Sequence, residues 1–112
     1  MAKSTPQVQA NQLYLAPATT PSCCLDSSTW FTWLETATAF RYFSSQRLPV
    51  AHNYTRPIRP ISIRKEKRRQ GYLWYAYLRT NGRLHKRYLG KSTALTITRL
   101  DEVALVLNQI WE

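Results

Sequence analysis

Residues 61–90 read ISIRKEKRRQGYLWYAYLRTNGRLHKRYLG, and how this stretch pairs with itself decides the fold of the chain. Asn81-Gly82 stands between two runs in which apolar and polar residues alternate. A two-residue type I′ turn needs positive φ at both central positions, so Asn-Gly here predicts a β-hairpin. Candidate strands are 62–69, 72–79 and 83–89. The turn sets the register: Thr80 faces Arg83, Leu78 faces His85, Tyr77 faces Lys86 and Tyr75 faces Tyr88. Because side chains alternate, Ile63, Trp74, Ala76, Leu78 and Leu89 share one face, with His85 and Arg87. Arg64, Arg68, Tyr75, Tyr77, Arg79, Leu84, Lys86 and Tyr88 share the other.

The same stretch concentrates charge. It holds nine of the 16 Lys and Arg residues of the 112-residue chain, with Lys91 just beyond, and a single acid, Glu66. The chain as a whole carries a formal net charge of +10. So compact a cluster of cations favours a polyanionic partner, through release of the counterions condensed on phosphates. Tyrosines interleaved with arginines on one sheet face point to nucleic acid.

Beyond 90, Gly90-Lys91-Ser92 closes the sheet and Thr96 is a candidate N-cap. Ile97, Leu100, Val103, Ala104, Leu107, Ile110 and Trp111 then make one broad apolar stripe at helical spacing. That stripe fits the Trp74/Ala76/Leu78/Leu89 face, with Ala76 allowing close approach. Asp101 and Glu102 fall near the helix start, where carboxylates suit the dipole.

Upstream the signals are weaker. Residues 1–25 are rich in Ser, Thr, Gln, Ala and Pro without sustained period, which predicts a flexible tail. Asp26-Ser27-Ser28 offers a cap for a short helix carrying Trp30, Phe31, Trp33, Leu34 and Ala37. Residues 39–43 alternate like a strand. Pro49, Pro57 and Pro60 make 44–60 a surface loop, which carries Arg47, Arg56 and Arg59. The expected architecture is α+β: a short N-terminal helix, a three-stranded antiparallel sheet open to a fourth strand, and a C-terminal amphipathic helix on one sheet face. One small domain spans 26–112.

Several chemistries find no residues to carry them. Cys23 and Cys24 are adjacent, an awkward geometry for a mutual disulfide, and no other cysteine exists. His52 and His85 lack partners at metal-ligand spacing. There is no Gly-rich phosphate loop, paired carboxylate set or nucleophile triad. No enzyme activity, cofactor or metal is expected. No apolar run is long enough to span a bilayer, and no secretory signal is present. The expectation is a cytoplasmic, nucleoid-associated protein.

In order, the features are a basic strand, Trp74-Tyr75-Ala76 followed by Arg79, an Asn-Gly turn, a strand ending Tyr88-Leu89-Gly90, and an amphipathic helix. This resembles the three-stranded DNA-binding domain of plant ethylene-response factors and the arm-binding domain of some tyrosine recombinases. Trp74–Tyr77, Arg87–Ser92, Leu95–Leu100 and, upstream, Trp30–Glu35 with the 39–43 strand look more like the short N-terminal domain of certain bacterial LuxR-type regulators. The resemblance implies a sheet lying in the DNA major groove with a helix behind it. It implies base- or backbone-facing roles for Arg64, Arg68, Tyr77, Arg79, Lys86 and Tyr88, to which the alternation adds Tyr75. Two residues depart from the plant pattern: Tyr77 replaces an acid, and Arg87 replaces a small or apolar residue.

The functional expectation is a non-enzymatic binder of double-stranded DNA, a small regulator or accessory factor of a mobile element. Lys65, Lys67 and Arg69 would serve phosphates without reading sequence. Two alternatives stay open. One is RNA or single-stranded nucleic acid, with the tyrosines as stacking platforms. The other is a protein adaptor or homo-oligomer using Trp30, Phe31 and Trp33.

Overall fold

The structure, a computed structural model, describes residues 5–15, 20–80 and 82–110. Among these described residues, nine strands and two α-helices follow in chain order: β1 (Gln7–Gln9), β2 (Gln12–Tyr14), β3 (Cys23–Cys24), α1 (Ser28–Thr36), β4 (Ala39–Phe43), β5 (Arg47–Ala51), β6 (Tyr54–Pro57), β7 (Ile61–Arg68), β8 (Gly71–Thr80), β9 (Arg83–Gly90) and α2 (Ile97–Ile110). A single 3-10 turn, Ser92–Ala94, links β9 to α2. Seven of the strands form one sheet in the order β3-β2-β1-β4-β7-β8-β9, and β5-β6 form a separate hairpin.

The expected three-stranded sheet is therefore corrected to a seven-stranded mixed one. Three of the added strands come from the segment read as a tail. Ala10 (φ 51°) and Asn11 (φ 61°) turn β1 back on β2, and β1 also runs parallel to β4. Each of these strands inserts one apolar side chain, and Val8 and Leu13 are fully buried. Residues 44–60 are corrected as well. They hold the β5-β6 hairpin, turned at Asn53 (φ 60°), with Leu48 and Ile58 in the core. Pro49 and Pro57 are tolerated there because both strands of a two-stranded hairpin are edges.

The β7-β8-β9 meander pairs as alternation requires. Tyr75 lies opposite Tyr88, Tyr77 opposite Lys86, Leu78 opposite His85 and Thr80 opposite Arg83. Asn81 lies outside the described residues; Gly82 has φ 80°, a conformation glycine adopts without steric cost. A bulge at Leu89 shifts the register so that Gly90 faces Trp74. β4 pairs antiparallel with the first half of β7, Arg41 opposite Ser62 and Ala39 opposite Arg64.

Both helices cover the same side of the sheet. Leu100, Val103, Ala104 and Leu107 of α2 join Trp74, Ala76, Leu78 and Leu89 in one buried cluster with Phe40, Ile61 and Ile63. The Ile110 side chain and Trp111, the end of the expected stripe, lie outside the described residues. Trp30 is fully buried from α1, stacked on Trp33 at 5.5 Å and edge-on to Phe40 at 5.3 Å. Its indole N–H donates to the Leu95 carbonyl at 2.8 Å, so the ring is satisfied inside the core. Trp30 is thus closed to any partner, while Phe31 and Trp33 are half-buried against the same cluster.

Polar contacts tie the layers. Ser27 caps α1, its hydroxyl accepting from Trp30 N–H at 3.2 Å, and Asp26 accepts from Ile97 N–H at 2.9 Å across the chain. The two helix starts are therefore joined by consecutive residues. Asp101, expected to act on the α2 dipole, accepts from Tyr42 OH at 2.6 Å and Ser44 OH at 2.7 Å. Burial first, then the Asp101 carboxylate, pushes the Tyr42 phenol well above its ordinary value. Asn108, fully buried, accepts from Arg59 N–H at 2.8 Å and donates to the Arg59 carbonyl at 3.2 Å. That two-way amide clamp holds the chain between β6 and β7 against α2.

Candidate nucleic-acid interface

With both helices on one side, the other face of the sheet carries no helix among the described residues. Across β7, β8 and β9 this open face runs in rows fixed by pairing. Arg64, Tyr75 and Tyr88 make one row, Ser62, Tyr77 and Lys86 the next, and Arg79 with Leu84 a third. Arg64, Arg68, Arg79, Lys86 and Tyr88 are exposed, and Tyr75 and Tyr77 are half-buried between them.

The cations lie against the rings. Lys86 Nζ stands 4.3 Å from the Tyr75 centroid and 5.5 Å from that of Tyr77. Arg68 lies 5.1 Å over the Tyr75 ring and donates to its hydroxyl at 3.2 Å. Arg64 stands 5.9 Å from Tyr77, and Tyr75 meets Tyr88 at 5.5 Å, tilted by 60°. Such contacts hold long cationic side chains over aromatic faces at a small gain each. The Tyr75 hydroxyl, followed by the neighbouring carboxylate, keeps Arg68 even more firmly protonated than a free guanidinium.

Glu66 is the acid of this face. It bonds Arg68 and, at 3.2 Å, Lys86. The open face is therefore compensated at the Glu66 end, while no carboxylate of the described residues bonds Arg41, Arg64 or Arg79 around Ser62.

Of the ten residues named from sequence, the structure brings seven to this face: Arg64, Arg68, Tyr75, Tyr77, Arg79, Lys86 and Tyr88. It does not bring the other three. Lys65 points to the helix side, half-buried, and donates to the Leu34 carbonyl at 2.7 Å and the Glu35 carbonyl at 3.1 Å. It thus caps the C-terminal end of α1, where a cation also suits the dipole. Lys67 shares the Lys65 side of the strand and is exposed, and Arg69 lies in the turn between β7 and β8. One residue was missed: Arg41, exposed on β4 directly opposite Ser62, joins the same face. The signal existed, since alternation along 39–43 separates Arg41 from Phe40 and Tyr42. Arg87, the second departure from the plant pattern, lies opposite Ala76 and stays exposed on the edge strand.

No protein-family model, characterised protein or solved structure matches the chain. Among the described residues, no group of three or more His, Cys, Asp or Glu could hold a metal ion, and no helix is long and apolar enough to cross a membrane. Cys23 and Cys24 are free thiols.

Proposed function

We propose that the protein binds double-stranded DNA through the open face of β7, β8 and β9, without catalysis, as a small regulator or accessory factor of a mobile element. The observation that carries this is the single-sided array of Arg64, Arg68, Arg79 and Lys86 interleaved with Tyr75, Tyr77 and Tyr88, with Glu66 among them. Groove dimensions refine the idea. Strands lie about 4.8 Å apart, so three strands span roughly 10 Å and enter a major groove about 12 Å wide. Seven strands, at roughly 29 Å, do not. Only an end of the sheet fits, and the cationic end is the one whose edge strand is β9. The likeness to the ethylene-response-factor type thus concerns the β7-β8-β9 meander and its supporting helix, not the whole sheet.

Duplex is favoured over single strands by the occupied ring faces. Lys86 and Arg68 already cover Tyr75, which leaves Tyr88, 52% exposed, as the more open stacking surface. The cations of this face divide between phosphates and bases, and one bidentate arginine–guanine pair discriminates by about 1–3 kcal/mol. Selection of preferred duplexes from a random pool, with duplex RNA and single strands competing at matched salt, tests the proposal. Duplex DNA is expected to win, with particular sequences enriched from the pool. Equal affinity for all three polymers would reduce the protein to a nonspecific polycation.

A further inference from the structure

We infer that Arg41, Arg64 and Arg79 form a phosphate-binding site around Ser62, so that β4 takes part in holding the polyanion alongside β7–β9. Ser62 sits mid-row between Arg41 and Tyr77, with the smallest side chain of the three. The face is hollow there. One depression of about 290 Å³ is lined by Arg41, Ser62, Tyr77 and Arg79 among others. An adjoining one of about 330 Å³ is lined by Ser62, Arg64, Tyr77, Arg79 and Leu84. A third, of about 200 Å³, joins Arg41 to Arg64 across Ala39 and Ser62.

The three guanidiniums are exposed, and none hydrogen-bonds or ion-pairs with another described residue. Arg41 rests 5.9 Å from the Phe43 ring and Arg64 the same distance from Tyr77, so rings beside the hollow steer both. The hydroxyls of Ser62 and Tyr77 make no hydrogen bond to a described residue either. The Glu66 end differs, because its cations already share a carboxylate. Cations gathered without a counter-charge among the described residues repel one another and gain most from an incoming anion. A phosphate group matches what is offered: guanidinium forks pair its oxygens two at a time, and neutral hydroxyls donate to the remainder. Geometry agrees with the groove picture. With β7–β9 inside the major groove, the next strand out is β4, which puts Arg41 at the phosphate wall.

The chemistry is shared by the diester of a DNA backbone and by a free oligophosphate. Only the choice between these sources rests on the DNA-binding proposal. The test uses the whole chain, with arginine side-chain N–H resonances followed by NMR during titration with tripolyphosphate. Saturable shifts confined to Arg41, Arg64 and Arg79, and abolished by Arg41→Gln, are expected. Shifts spread evenly over the exposed arginines, or none at all, overturn the site. A parallel titration uses a short duplex at fixed salt. There Arg41→Gln is expected to weaken binding about tenfold, as removal of a charged hydrogen bond does, and the charge-matched Lys67→Gln less than about twofold. Equal weakening in both variants overturns the site while leaving general DNA binding intact. Tripolyphosphate held with no duplex binding keeps the site and defeats the DNA proposal.

Discussion

The two ends of the open sheet face are built alike and differ in chemistry. At the β1-β2 end it presents Gln7, Gln9, Gln12 and Tyr14, which bond one another: Gln9 donates to Gln7 at 2.8 Å and Tyr14 to Gln12 at 3.3 Å. At the β7–β9 end it presents arginines, Lys86 and tyrosines. Both ends rest on the same continuous core, which reaches from Val8 and Leu13 to Trp74 and Leu89. The backbone therefore explains neither surface. Self-satisfied amides need no ligand, whereas clustered cations are held against their own repulsion, and that asymmetry is why the proposed interface lies at the β7–β9 end.

The most drastic way to test the contrast is to exchange the charge. Replacing Arg64, Arg68, Arg79 and Lys86 together by Gln is expected to weaken duplex binding more than about 100-fold, since every phosphate left unneutralised keeps its condensed counterion. Replacing Gln7, Gln9 and Gln12 by Ala should change it less than about twofold. Fluorescence anisotropy at one salt concentration reads both. Comparable weakening would erase the distinction between the ends.

The shared core predicts a different pattern for stability. Leu13→Ala is expected to cost about 2–4 kcal/mol in urea unfolding, as for other buried leucines, because β2 belongs to the folded body. A value near zero would make the N-terminal strands dispensable. Lys65→Met should lower stability by about 1 kcal/mol, because the hydrogen bonds to the two α1 carbonyls disappear, and leave DNA affinity nearly unchanged. Reduced affinity with unchanged stability would return Lys65 to the phosphate-contacting set.

The smallest effect is one of pH. Tyr42 keeps its proton to higher pH folded than unfolded, because burial and Asp101 oppose the phenolate. Its stabilising contribution is whole below the unfolded pKa, about 10, and is lost as pH rises above it. One proton gives a slope of at most about 1.4 kcal/mol per pH unit. Unfolding free energy measured from pH 9 to 11 should fall more shallowly in Tyr42→Phe, and identical slopes would deny the coupling.

These contrasts also show where the sequence speaks. The β8-β9 register was legible because inner and outer side chains alternate over the seven residues from Trp74 to Thr80 and Gly82 stands where the chain must reverse. β1 and β2 were not, since a three-residue strand with one apolar side chain has no period to detect. The β5-β6 hairpin was hidden by Pro49 and Pro57, residues that argue against a strand wherever both neighbours must be paired. Lys65 was misplaced by residue type: a lysine in a basic run suggests phosphate, yet Ile63 two positions earlier already assigned it to the inner face. Arg41 was readable by the same parity, but nothing in the sequence said that β4 would pair with β7.

The central claim is that phosphates are held by the open face of β7–β9, and the salt dependence of duplex affinity tests it most directly. With about five phosphates neutralised, log K is expected to fall against log salt with a slope near −4.5, and the double replacement Arg64→Gln/Arg79→Gln to flatten it by about 1.8. Lys65→Gln should leave the slope unchanged. A slope near zero, or one that Lys65→Gln flattens as much as the Arg64 and Arg79 changes do, would contradict the account.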